Sequence, residues 1–110
     1  MSNEQKTIKN KQINNEDDDF LMSSQIGGWV YVIKSKKDSD LYVGSTNDLR
    51  KRFKEHNSGA VRSTKSRIPF KLAYYETYKS EKDAREREQN LKLRSRAFAQ
   101  LKKRITHSIT

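Results

Sequence analysis

The chain has 110 residues, of which 32% are hydrophobic, and its 24 Lys and Arg against 14 Asp and Glu give a net charge of +10. That is room for one small domain and a polar extension, which excludes a two-domain enzyme and makes a polyanion the expected partner. With no cysteine and only His56 and His107 as imidazoles, disulfides, thiol catalysis and thiolate zinc sites are excluded, and any metal must lean on carboxylate oxygens, as hard divalent cations do.

Residues 1–26 carry scattered single apolar side chains and the acidic run Glu16, Asp17, Asp18, Asp19, and they read as a disordered polar tail. The run is a solvated stretch, or one that folds back and competes with nucleic acid for a basic face. The tail holds three lysines and five acids, so the rest of the chain carries 21 basic and nine acidic residues, a net of +12. Nothing here resembles the apolar core of a secretory signal, so a cytoplasmic location is expected. A folded domain is expected over 27–106, with 107–110 as a short tail.

After Gly27 and Gly28 the run Trp29-Val30-Tyr31-Val32-Ile33 is aromatic and β-branched, which suits a strand. It is the longest apolar run and is far short of the roughly 20 residues that span a bilayer, so no membrane is expected. Turn residues from Lys36 to Asp40 lead to a second strand, Leu41 to Ser45, which completes a hairpin. Thr46, Asn47 and Asp48 are N-cap candidates for a helix to about Asn57, stopped by Ser58 and Gly59. On it Leu49 and Phe53 share one stripe, and Arg52 and His56 an adjoining one. A polar loop, Ala60 to Arg67, precedes a third strand from Lys71 to Lys79. Ser80, with Asp83 three residues on, opens a helix whose face carries Ala84, Glu88 and Leu91. Ser95 is the N-cap candidate for a last helix packed through Phe98, Leu101 and Ile105. The order β-β-α-β-α-α is that of an α+β fold.

These residues resemble the GIY-YIG nucleases. Trp29-Val30-Tyr31 stands at the first triplet, with Trp29 in place of Gly and Val30 in place of Ile, and Tyr42-Val43-Gly44 stands at the second. The similarity runs on from Ser45 through Arg52, His56 and Gly59, and returns at Arg87-Glu88-Gln89-Asn90-Leu91-Lys92. It covers roughly Gly28 to Ile105 and is closest to the small standalone members. The resemblance implies a three-stranded antiparallel sheet flanked by helices and an endonuclease that hydrolyses phosphodiesters in DNA at a single magnesium or manganese ion. Its site residues would be Tyr31, Tyr42, Arg52, His56 and Glu88, with Glu88 on the metal and Gly44 structural beside them.

The chemistry of phosphodiester hydrolysis asks for the same parts. Glu88 can hold a metal. Arg52 offers a planar fork of donors for phosphate. Tyr31 or Tyr42 can orient or deprotonate water, although an ordinary phenol is too weakly acidic to serve unaided. His56 can assist proton transfer or hold a phosphate. Each also has a plain structural reading. The tyrosines can be half-buried sheet aromatics, Gly44 a bulge and Arg52 part of a solvated face. His56 can be a cation at a helix C-terminus, and Glu88 the i, i+4 partner of Lys92. Arg50, Lys51, Lys54, Arg62, Lys65, Arg67 and Lys71 cluster as a phosphate-tracking surface would, and Arg94, Arg96, Lys102, Lys103 and Arg104 form a second group. No base-reading motif accompanies them, so low sequence specificity is expected. Tyr74, Tyr75 and Tyr78 either pack or stack on bases of a single strand. The alternatives to a nuclease are a non-catalytic nucleic-acid-binding module that retains the fold, and a basic protein that binds RNA or a ribosomal surface.

Overall fold

The computed structural model describes residues 26–110, so the tail expected over 1–26, with its acidic run, lies outside the described residues except for Ile26. Strand β1 (Gly28–Ser35) pairs antiparallel with β2 (Leu41–Thr46) on one side and β3 (Phe70–Tyr78) on the other, which gives the sheet order β2-β1-β3. The central strand is covered on both faces, which is why its sequence is an unbroken apolar run and not an alternation. Val30 and Val32 face one core with Val43, Ala84, Leu91, Leu101 and Ile105. Tyr31 and Ile33 face the other with Leu49 and Phe70. The register against β3 shifts between Val32 and Ile33, a bulge in the strand pairing.

Helix α1 (Leu49–Ser58) covers the Tyr31 face. Asp48 caps it by accepting from the Lys51 amide at 3.1 Å, and Gly59 ends it in the left-handed conformation, φ 82°, that glycine adopts without strain. The segment from Ala60 to Arg67 is more than a polar loop, because Val61 and Thr64 are buried and Lys65–Arg67 form a turn of 3-10 helix. Asn57 ties α1 to the start of β3 through two bonds to the Phe70 backbone, accepting from its amide at 2.6 Å and donating to its carbonyl at 3.0 Å.

Helices α2 (Glu81–Leu93), α3 (Ser95–Arg104) and α4 (Thr106–Ile109) close the opposite face. Ser80 caps α2 through the Lys82 amide at 3.2 Å. Ser95, expected to cap α3, is its first helical residue instead. Arg94 alone links the two helices, and its carbonyl already accepts from the Phe98 amide at 3.3 Å. Residues 107–110 are not a free tail, since α4 occupies nearly all of them, Ile109 packs on the core and its carbonyl accepts from Lys34 Nζ at 2.7 Å.

Two of the three β3 tyrosines are structural. Glu76 accepts from the Tyr74 hydroxyl at 2.8 Å, from the Tyr78 hydroxyl at 2.6 Å and from Arg87 of α2 at 3.0 Å. Burial alone would raise the Glu76 carboxyl, but these donors outweigh it and lower it, while burial and Glu76 push both phenols up to about 12. Among the described residues no helix is long and apolar enough to cross a membrane.

Candidate active site

Where β1 and β2 run side by side, Tyr31 and Gly44 are direct partners. A side chain on Gly44 would collide with the Tyr31 ring, so glycine is required there for close approach and not for backbone freedom. The space it leaves lets Tyr31 lie 2% exposed and turn its hydroxyl toward α1. There it meets Nε2 of His56 at 2.8 Å, while Nδ1 of the same ring lies 2.8 Å from Oγ1 of Thr64. The Thr64 hydroxyl has the Val61 carbonyl 3.5 Å away as its own acceptor. One proton arrangement satisfies the whole chain: Tyr31 donates to Nε2, Nδ1 donates to Thr64, and Thr64 donates to Val61.

His56 is fully buried, and burial, helped by the charge of Arg52, brings its pKa down to about 4. That shift favours the neutral imidazole at physiological pH and speaks against the helix-capping cation considered for it. The stability consequence has a definite sign. Between the ordinary value of 6.5 and about 4, the unfolded chain takes up a proton at this residue that the folded chain refuses. Stability should fall as pH drops through that window, by about 3 kcal/mol at most. Denaturation of wild type and His56→Gln at pH 7 and below pH 5 checks this, because the variant should lack that part of the pH dependence.

Burial also pushes the Tyr31 phenol up to about 12, opposed by the nearby Arg52 guanidinium. Arg52 stands one helical turn before His56, near Tyr31, and its guanidinium donates to Glu55 Oε1 at 3.0 Å. It stays half-exposed, with its fork turned partly to solvent. Tyr42 sits edge-on to the His56 ring at 5.2 Å.

Glu88 arrives from α2, on the other side of the sheet. Ser45 of edge strand β2 donates to its Oε1, and Lys92, one turn on, pairs with its Oε2 at 2.7 Å. The Lys92 ammonium also lies over the Tyr42 ring, 5.3 Å from its centre, so it bridges the two faces across the strand edge. Glu88 is close enough to Tyr31 for its charge to help raise that phenol. Tyr31, Tyr42, Arg52 and His56 thus gather on the α1 face of the sheet, while Glu88 reaches the edge of β2 from the other face, within electrostatic range of Tyr31.

A family model described as the GIY-YIG catalytic domain matches residues 27–104. The chain belongs to the GIY-YIG family. It is similar to the UPF0213 protein CPE1444 of Clostridium perfringens, with 43% identity over 65 residues that cover 58% of this chain and 69% of the relative. The UPF0213 protein YazA of Bacillus subtilis is 39% identical over 74 residues, 66% of this chain and 74% of its own length. The UPF0213 protein SSP2268 of Staphylococcus saprophyticus is 38% identical over 69 residues, 62% of this chain and 83% of the relative. No solved structure gives a significant match.

In this GIY-YIG domain the basic residues divide by environment. Arg50, Lys51 and Lys54 are exposed along α1, and Arg62, Lys65 and Lys71 are exposed beyond it. Arg67 turns inward: it pairs with Asp38 at 2.7 Å and lies over the Phe70 ring at 5.4 Å, so it clasps the β1–β2 turn. Two partners of the site were absent from the sequence reading. Thr64 sits in a polar loop with no periodicity to mark it as buried, and Ser45 looked like the end of a strand. Lys92 was legible as a partner of Glu88, but its reach to Tyr42 depends on α2 lying along the edge of β2.

Proposed function

We propose that this GIY-YIG domain is a divalent-metal-dependent endonuclease that hydrolyses phosphodiester bonds in DNA with little sequence preference. The observation that carries this reading is the Tyr31 hydroxyl, held from behind by a buried His56 and lying within electrostatic reach of both Arg52 and Glu88. The +12 charge of the folded part supports a polyanionic substrate.

The directions of the two shifts suit a division of roles in the Tyr31 and His56 pair. Burial raises the phenol and lowers the imidazole, so proton transfer from Tyr31 to His56 runs uphill. His56 therefore does not take the Tyr31 proton outright. It receives the hydrogen bond, which fixes the hydroxyl and leaves the oxygen lone pairs free to orient the attacking water. Arg52, charged at any working pH, would neutralise charge developing on the phosphoryl oxygens.

Among the described residues no three His, Asp, Glu or Cys side chains converge as a metal cage. Glu88 supplies one half-buried carboxylate, held by Ser45 and Lys92. One carboxylate with the remaining positions left to water and substrate phosphate is a donor set that suits magnesium or manganese. Bound at Glu88, such an ion would supply charge neutralisation at the scissile phosphate.

The direct test is incubation with single-stranded, duplex and branched DNA in magnesium, in manganese and in EDTA. Internal cuts that EDTA abolishes are expected. Binding with no cutting in any condition would return the chain to a nucleic-acid-binding module. Arg52→Ala should lower the cleavage rate at saturating DNA by about 10²- to 10³-fold and change Kd only a few-fold. An unchanged saturated rate would make Arg52 an ordinary surface cation.

A further inference from the structure

Among the described residues, Tyr75 is the β3 tyrosine whose side chain no hydrogen bond ties down. It is 51% exposed, and Leu72 beside it is 38% exposed. Trp29 stands edge-on to Tyr75 with ring centres 5.4 Å apart and planes inclined by 61°. With Phe53 below and Arg50 at the rim, these side chains line an open groove of about 560 Å³. We propose that this groove is a stacking site for an unpaired nucleobase of the substrate strand, beside the candidate active site.

The inference rests on the proposed reading that the substrate is nucleic acid, and it specifies which form is preferred. Three observations carry it. The first is position: Tyr75 is the direct cross-strand partner of Tyr31, and Asn47 and Asp48 line both this groove and the neighbouring one that holds Ser45 and Arg52. A strand with its phosphate at Arg52 can thus lay the next base on the aromatic surface. The second is chemistry, since the exposed faces of Trp and Tyr with an arginine at the rim are the parts that hold single-stranded bases, and they do so without reading sequence. Asp48, the acidic residue of the lining, is committed to the α1 cap. The third is charge, because a +12 domain attracts a polyanion and repels a second copy of itself. Trp29 adds to the aromatic surface of Tyr75 and Phe53 at the position where the sequence departs from the glycine of the family triplet.

Trp29 is the chain's single tryptophan, so its fluorescence reports on the groove directly. The full chain, in EDTA to prevent cutting, would be titrated with an oligothymidylate, with an abasic backbone of the same length and with a duplex. Trp29 should be quenched by the oligothymidylate alone, which should bind at least about fivefold more tightly than the abasic strand. Tyr75→Ala should lower oligothymidylate affinity by about tenfold and leave abasic affinity unchanged, and Tyr75→Phe should restore it. Equal binding of both strands with unmoved Trp29 emission would overturn the proposal. So would emission that changes with protein concentration in the absence of DNA, which would place a second copy in the groove. The two readings fail separately: quenching by single strands without any cutting in magnesium defeats the nuclease alone, and cutting without quenching defeats the stacking site alone.

Discussion

Glu88→Gln is expected to lower DNA cleavage in magnesium by on the order of 10³-fold or more, with the fold intact and DNA affinity equal or slightly higher. The substitution keeps the side chain's size and leaves a carbonyl oxygen that can still accept from Ser45. What it removes is the charge that pairs with Lys92. Loss of the ionised carboxylate removes the proposed anchor of the metal and with it the charge neutralisation at the scissile phosphate. Binding follows the opposite sense, because one negative charge near the DNA phosphates has gone and Lys92 is released to contact them. Parallel measurement of Kd in EDTA and of single-turnover rates in magnesium separates the two effects. Near wild-type cutting would defeat a mechanism centred on Glu88 and leave the family membership as one of fold.

Tyr31→Phe should reduce the cleavage rate by about 10²- to 10⁴-fold. The ring volume is preserved beside Gly44, so packing on that face of β1 is kept, but two things are lost. The water-orienting oxygen disappears, and Nε2 of His56 is left buried with no donor, which should cost roughly 1 to 2 kcal/mol of stability. Tyr42→Phe is the internal comparison, since Tyr42 meets the same His56 ring through its edge. A large rate loss for Tyr31→Phe with DNA affinity retained assigns the hydroxyl to the reaction. A stability loss with an unchanged rate assigns it to the core.

Much of the architecture is written in local sequence. The aromatic and β-branched run at Trp29 to Ile33, the turn residues after it and the glycine at position 59 specify the hairpin and α1 by period and punctuation alone. Ser80 before an apolar face at Ala84 and Leu91 specifies α2 in the same way. These signals are legible because each depends on residues within a few positions of one another. Where a neighbour changed the outcome, the local reading moved: Arg94 is the only residue between α2 and α3, so Ser95 could not cap.

The candidate site divides along the same line. The types and order of Tyr31, Tyr42, Arg52, His56 and Glu88 are visible in the chain, and the helical spacing of Arg52 and His56 puts them on adjoining turns. That His56 is neutral, that Thr64 orients it, that Gly44 makes room for Tyr31 and that Lys92 reaches around an edge strand are consequences of contacts between residues far apart in sequence. Burial and cross-strand approach are properties of the packed sheet and helices, and no period or motif encodes them. Residue identity thus determined which chemistry the chain could bring. The tertiary structure alone decided protonation and orientation, because both depend on what water is excluded from and which donor stands behind each acceptor.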